Sequence, residues 1–446
     1  MRLILCLCLC LLALVPLVAC EQNNLVLFIS DGMGMNHVEI SRIIEMGDTG
    51  EKLSFEELDY NTTVGTNAIS FTTDSAAAST CISSGQRVIG GRLNISMVFH
   101  KHYETLLEFM TDTEEGRDYL TGVIAKTSIA SATPAGFMAH ANSRGDDDVI
   151  ADCIRADQPD LLMGGGYTLM SDLLETAAQP ATERSHLVGL TTDLPVVGLF
   201  AEGSMKKVVH RDADSEELEP TLTEMSVAAV EVLIAASEEQ NRPYVLVIEA
   251  SFPDKGSHAN DADVAFTEVI ELHEAVREVL ALVDLSNTLF LVTADHECGA
   301  LDIDATQAKA TAAAASMSCL KTTADTDIDA AVLARTERIA LLEDSFTWGS
   351  DHHSSRHVML AGSGPGASGV EDLEGRLLHH KGTSMILHRA ADPEYEASIN
   401  FGYFEAALYL TLAFAILFGA IGGIVYLIVK LVKRIMGKGK TADDSE

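Results

Sequence analysis

The chain has 446 residues, 66 acidic against 30 basic side chains, a formal charge of −36 and 47% hydrophobic residues. At about 100–200 residues per domain, this length holds one large domain with insertions or two domains, and the apolar content with only 10 Pro excludes a disordered or fibrous chain. So acidic a surface excludes a general nucleic-acid-binding role, which needs basic faces.

Residues 1–20 carry Arg2 and then the apolar run Leu3 to Val18, the pattern of a secretory signal. Its end reads as ordinary cleavage after Ala19 or Cys20, or as a lipoprotein box, Leu17-Val18-Ala19-Cys20, with Cys20 lipidated. The run Asn24 to Ser30 predicts a buried strand that ends at the turn Asp31-Gly32. Thr72-Thr73-Asp74-Ser75, followed by an Ala run, predicts a capped helix with Ser75 at its positive N-terminus, a place that favours an alkoxide or a bound anion.

Further strands are predicted at Gly122–Ala125, Leu161–Met163, Tyr244–Ile248, Leu289–Thr293 and His357–Ala361. Helical periodicity fills the gaps at Leu222–Glu239 and Asp261–Val283. The alternation predicts an α/β fold, a three-layer sandwich around a mainly parallel sheet, with ligands bound beyond the carboxyl ends of the strands. Residues 305–335, rich in Ala and Thr, break the pattern and read as an insertion or lid, spanning about 305–350, or as a plain surface excursion. Ala406 to Val429 is uncharged and long enough to span a bilayer. Lys430, Lys433, Arg434, Lys438 and Lys440 follow it, so the tail at 430–446 reads as cytoplasmic and the catalytic part, 21–400, as extracellular or periplasmic. Gly419 and Gly423 form a GxxxG within the span.

Cys81, Cys153, Cys298 and Cys319 allow three disulfide pairings. Asn61-Thr62-Thr63 and Asn94-Ile95-Ser96 are glycosylation sequons. His273 reads as core and His140 as a helix support, whereas His379, His380 and His388 read as surface.

Four strand ends carry metal-ligand residue types. Asp31 follows the first; Glu249, Asp254 and His258 follow another; Asp295 and His296 a third; His352 and His353 precede the last. Carboxylate with imidazole suits zinc, and clustered carboxylates suit magnesium.

Taken with Ile29-Ser30-Asp31-Gly32-Met33-Gly34, Thr73-Asp74-Ser75-Ala76-Ala77, Ala132-Thr133-Pro134-Ala135 with Ala139-His140 and Arg144, Glu249 to His258, and Val292 to His296, in that order, the chain resembles the alkaline phosphatases from about Leu25 to Ala367. The resemblance implies two zinc ions and one magnesium. Asp254, His258 and His353 would hold the first zinc; Asp31, Asp295, His296 and the Ser75 oxygen the second; Asp31, Thr133 and Glu249 the magnesium. It further implies a phosphoserine intermediate on Ser75, a phosphate grip by Arg144, a water-mediated contact from Lys255, small phosphate monoesters as substrates and a homodimer. Three positions depart from the family pattern. Ser131 replaces an Asp or His beside the magnesium site, and Cys298 replaces a His behind the first zinc. The last ligand could be either neighbour, and the spacing to Gly364 favours His353 over His352. The competing readings are a phosphodiesterase or sulfatase of the same superfamily, and a non-catalytic, membrane-anchored binding ectodomain.

Overall fold

The computed structural model describes residues 23–211, 218–320, 328–373, 379–396 and 401–438. The predicted leader, Cys20, the stretch 321–327 of the predicted insertion and the end of the tail lie outside the described residues.

A nine-stranded sheet forms the centre. Its strands, in chain order, are β1 (Asn24–Ser30), β2 (Tyr60–Val64), β3 (Leu120–Ser128), β4 (Leu161–Gly165), β5 (Gln179–Ala181), β6 (Val196–Ala201), β7 (Tyr244–Ala250), β8 (Thr288–Thr293) and β13 (Val358–Ser363). They lie side by side as β2-β13-β8-β1-β7-β3-β4-β6-β5. All neighbours are parallel except β13, which runs antiparallel to both β2 and β8. Leu25 to Ile29 of β1 are fully buried, as a central strand covered on both faces by helices requires. Truncation there, for instance Phe28→Ala, is expected to cost about 3–5 kcal/mol.

The predicted strands and the two long helices, α3 (Leu222–Gln240) and α5 (Ala262–Leu280), are present with ends moved by a few residues. Three strands of this sheet escape the sequence reading. β2 is an edge whose Asn61-Thr62-Thr63 is half polar, and β5 is a three-residue edge containing Pro180, a residue that only sheet margins accept. β6 is a buried apolar run.

Between β10 (Asp302–Ile303) and β11 (Phe346–Thr347) the chain makes its excursion through α6 (Ala305–Ala314) and α7 (Ile328–Leu341). This excursion has a core of its own: Ala308, Ala312, Met317 and Ile339 pack on Ile40, Ile43 and Ile44 of α1 (Met35–Met46) and on Phe266 and Ile270 of α5. The buried guanidinium of Arg335 bonds both oxygens of Glu45, at 2.8 and 3.0 Å, and Glu274 at 2.7 Å. Two small antiparallel ladders close its base, β10 with β11 and β9 (Glu297–Cys298) with β12 (His353–Ser354).

Several sequence expectations are corrected. Cys81, Cys153 and Cys298 are free thiols, so none of the three pairings forms among the described residues. The sequon residue Asn94 is fully buried, and its amide donates to the carbonyls of Gly136 and Ala139, so it offers no glycan acceptor. His379, His380 and His388 are buried rather than on the surface. They belong to or cap α8 (His380–Arg389), whose polar residues turn inward to find carbonyl oxygens. His273 is core as expected, fixed by Ser54. His140 bonds Glu108 and the Asn94 carbonyl.

Past α8, α9 runs from Phe401 to Lys438, and within it Leu410–Leu431 is long and apolar enough to cross a membrane.

Candidate active site

The functional residues hang from four adjacent strands, β8-β1-β7-β3, at their carboxyl ends. Asp31 follows β1, Glu249 lies near the end of β7, Asp295 and His296 follow β8, and Thr133 sits in the short helix Ala132–Ala135 after β3. The turn after β1 explains its glycine. Gly32 has φ +80, and a Cβ there would stand 2.6 Å from the Cα of Asp254. That close approach lets the Gly32 amide donate to Asp295 at 3.1 Å and its carbonyl accept from Cys298 at 3.1 Å. One small residue thus joins the ends of three elements.

Two groups of donor atoms result. In the first, Asp254 Oδ1 lies 3.4 Å from His258 Nε2 and 3.3 Å from His353 Nε2, and the two imidazole nitrogens are 3.0 Å apart. His258 Nδ1 sits 2.7 Å from the Asp351 carbonyl and His353 Nδ1 2.9 Å from that of Thr73. A carbonyl only accepts, so each Nδ1 carries its hydrogen and each Nε2 turns a lone pair into the group. In the second, His296 Nε2 lies 3.2 Å from Asp295 Oδ2, 3.6 Å from Asp31 Oδ1 and 3.4 Å from Ser75 Oγ. Donors about 2.0–2.1 Å from a tetrahedral zinc stand roughly 3.3–3.4 Å from one another, so both groups have the dimensions of a metal shell. Asp31 Oδ1, Asp254 Oδ1, Asp295 Oδ2 and Thr133 Oγ1 are buried without a hydrogen-bond partner, a costly state that a bound cation relieves. The residues present therefore fit divalent metal.

Electrostatics agree. Burial, then the facing Asp295, Asp254 and Glu249, raises the Asp31 carboxyl well above the usual range, and burial with the Asp254 charge pushes Asp295 up to about 7. A dication inverts such shifts. Glu249 is also raised by burial, and the hydroxyls of Ser251 and Thr127 donate to one of its oxygens at 2.6 and 3.0 Å. Sequence reasoning missed Thr127 and Ser251. It also missed His37, which accepts from the Gly34 amide and meets Ser257 Oγ at 2.9 Å, bridging the start of α1 to α4 (Phe252–His258). His380 holds the Asp295 carbonyl from behind at 2.9 Å. No sequence signal marks it, because the contact depends on how α8 packs.

Ser75 opens α2 (Ser75–Ser84) and is 3% exposed. Asp74 caps that helix, accepting from the amides of Ala77 and Gly91, and its other oxygen takes the Arg144 guanidinium at 3.2 Å. Arg144 is partly exposed, so its fork is held at one corner and open at the rest. Lys255 Nζ lies 3.8 Å from Asp254 Oδ2 with about half its side chain in solvent. His352 points outward, 82% exposed, while His353 faces Asp254. Ser131 begins the Ala132–Ala135 helix without a side-chain cap, and Cys298 lies buried beside the first group.

Residues 22–370 match the family profile described as alkaline phosphatase. An alkaline phosphatase of Schizosaccharomyces pombe is 29% identical over 307 residues, covering 62% of this chain and 56% of that protein. The aligned stretch thus spans little more than half of that relative's length. The crystal structure of Thermus thermophilus alkaline phosphatase superposes with a TM-score of 0.68 at 19% identity, over 89% of this chain and 96% of that one. A mutant of the alkaline phosphatase from the Antarctic bacterium TAB5, with Mg bound in its M3 site, gives 0.60 at 21% identity, over 83% and 98%. Those two likenesses show the shared fold, and the family match runs through every strand and ligand position just described: the chain belongs to the alkaline phosphatase family, a metal-dependent one.

Proposed function

We propose that the protein hydrolyses small phosphate monoesters through a phosphoserine on Ser75. The observation that carries this reading is Ser75 Oγ standing at a helix N-terminus, 3.4 Å from His296 Nε2, with Arg144 tied to the neighbouring Asp74.

Asp254, His258 and His353 would hold one zinc, Asp31, Asp295 and His296 a second, and Asp31, Thr133 and Glu249 a magnesium. Bound there, these ions supply Lewis acidity to the entering and leaving oxygens. The chain's own residues do the rest. The first turn of α2 presents Ser75 Oγ in a positive field. The free edge of the Arg144 fork takes two non-bridging phosphate oxygens, and Lys255 reaches the group through water. Ser75 Oγ attacks phosphorus, the bond to the alcohol breaks and the alcohol leaves. Water then attacks the phosphoserine, returning the hydroxyl and releasing inorganic phosphate. Recognition concentrates on the phosphoryl group, so many alcohols serve as leaving groups.

The proposed organisation is a leader at 1–20, a catalytic part at 21–400, a membrane span at 406–429 and a cytoplasmic tail at 430–446, with the reaction outside the membrane and the chain paired as a homodimer. The apolar helix followed by Lys430, Lys433 and Arg434 supports that orientation.

Assays of an aryl monoester, an aryl bis-ester and an aryl sulfate, with zinc and magnesium measured in the same preparation, test the proposal. Monoester turnover with phosphate trapped on Ser75 is expected, and Ser75→Ala loses turnover by about 10⁴-fold or more while retaining metal. Preferential bis-ester or sulfate cleavage, or undiminished turnover in Ser75→Ala, overturns it. Bound metal with no turnover of any substrate points to a binding ectodomain.

A further inference from the structure

Cys298 and His353 are paired residues of the ladder between β9 and β12, and cross-strand partners present their side chains on one face. The Cys298 thiol is fully buried, and its Sγ belongs with donor atoms of Asp254, His258 and His353 to one group lying within 4.8 Å of one another. Asp254 Oδ1, itself buried, points into that group without a hydrogen-bond partner. The backbone holds the thiol in place: the Cys298 amide donates to Gly32 at 3.1 Å, and the Gly299 amide to His352 at 3.0 Å. The other three described thiols face different surroundings: Cys81 against His379, Cys153 against the His140 carbonyl and Cys319 against the Met46 sulfur.

We propose that Cys298 is a fourth protein donor to the metal held by Asp254, His258 and His353, making an oxygen, two nitrogens and a sulfur. The proposal rests on the reading of that group as a metal centre. Metal binding displaces the thiol proton to solvent and forms the metal–sulfur bond. A thiolate selects soft and borderline ions such as zinc and cobalt over magnesium and manganese. Four protein donors also complete a tetrahedron, so a phosphate oxygen or water enters by expansion to five-coordination and the resting metal is held against loss. The excursion through α6 and α7 gains a role here, because the ladder closing its base is what sets His353 opposite Cys298.

Cobalt is the probe. Full-length protein in detergent, stripped of metal and loaded with cobalt, is expected to show an intense near-ultraviolet sulfur-to-cobalt charge-transfer band beside visible ligand-field bands. Cys298→Ser keeps the ligand-field bands, loses the charge-transfer band and releases cobalt to a chelator roughly 10- to 100-fold faster. Cys298→Ala repeats the measurement should serine disturb folding, and the triple variant Cys81→Ser, Cys153→Ser, Cys319→Ser retains the band. Ligand-field bands with no charge-transfer band, or a band unchanged in both Cys298 variants, overturn the thiol ligand alone. Failure to bind cobalt at all overturns the metal centre and the proposal with it.

Discussion

Two clusters of buried carboxylates lie in this fold, and they are solved differently. Between β3 and α5, Lys126 bonds Glu268 at 2.6 Å and Glu271, and the remaining oxygens accept from the amides of Val208, at 2.7 Å, and Leu222, at 3.1 Å. Every carboxylate oxygen there has a donor and the cluster contains its own cation. At the carboxyl ends of β1, β7 and β8, Asp31, Asp254 and Asp295 each leave an oxygen without a donor, and Lys255 Nζ stands 3.8 Å from Asp254 with about half its side chain in solvent. The first cluster fastens helix to sheet. In the second, the Gly32 amide holds the Asp295 carboxylate, His380 holds the Asp295 backbone carbonyl and His37 ties α1 to Ser257 of α4, so its carboxylates are positioned by neutral groups.

The comparison breaks most sharply if the lysine is removed. Lys126→Met strips the compensated cluster of its cation and leaves two facing buried carboxylates, which costs about 3–5 kcal/mol by denaturant unfolding. Glu268 is already raised to about 7, by burial first, with the Glu271 charge adding to it and Lys126 opposing. In the variant the opposing pull of Lys126 is gone, so the Glu268 carboxyl prefers the protonated form when folded still more strongly. A raised folded pKa gives stability that is present at low pH and lost as pH rises through it, so the cost is larger at pH 8 than at pH 5. Asp295→Asn is the matched change in the other cluster. In metal-free protein it removes one of several facing charges and is expected to be neutral or stabilising. Equal destabilisation by the two variants would erase the distinction between the clusters.

Adding a divalent cation to the second cluster is the converse. Zinc at a hundredfold excess over its Kd is expected to raise the unfolding free energy by about 2.7 kcal/mol, and Asp254→Asn to abolish most of that gain. A metal-independent unfolding curve would place the second cluster in the same class as the first.

The sequence carried the fold's centre because parallel strands buried on both faces read as apolar runs, and it carried the carboxylates and imidazoles because each interrupts such a run at its end: Asp31 after Ile29-Ser30, Asp295 after Thr293-Ala294. What it hid needed tertiary contacts. His380 sits in an ordinary polar stretch, and only the packing of α8 turns it towards the Asp295 carbonyl. Asn94 reads as a glycan acceptor until the chain near Gly136 closes over it. The pairing of Cys298 with His353, 55 residues apart, exists because the excursion through α6 and α7 returns beside its own start. The edge strand β2 carries too few apolar residues to signal itself.

Arg144 gives a smaller effect within the active site. Its planar fork is held by Asp74, and a lysine keeps the charge but loses the two parallel donors. Arg144→Lys is expected to weaken inhibition by inorganic phosphate about tenfold, equivalent to roughly 1.4 kcal/mol. An unchanged inhibition constant would mean that the fork does not grip phosphate.

The smallest effect belongs to a third, half-buried pair that sharpens the contrast from the solvent side. His140 Nε2 meets Glu108 Oε1 at 2.9 Å, stacked on His102 with ring centres 4.5 Å apart. Burial opposes both charges, yet the hydrogen bond and attraction between them raise the histidine above 6.5 and lower the carboxyl below 4.5. The histidine's share of the stability is full below 6.5 and lost as pH rises through its higher folded value. The glutamate's share is full above 4.5 and lost as pH falls through its lower folded value. The coupling is therefore greatest between about pH 4.5 and 6.5 and fades by pH 8. Solvent screening limits it to less than about 1 kcal/mol. A double-mutant cycle of His140→Gln and Glu108→Gln at pH 5.5 and pH 8 measures it directly: a coupling that does not fall between the two values would show that the pair is held by neutral hydrogen bonding, and that among these clusters only fully buried charge depends on having a cation within reach.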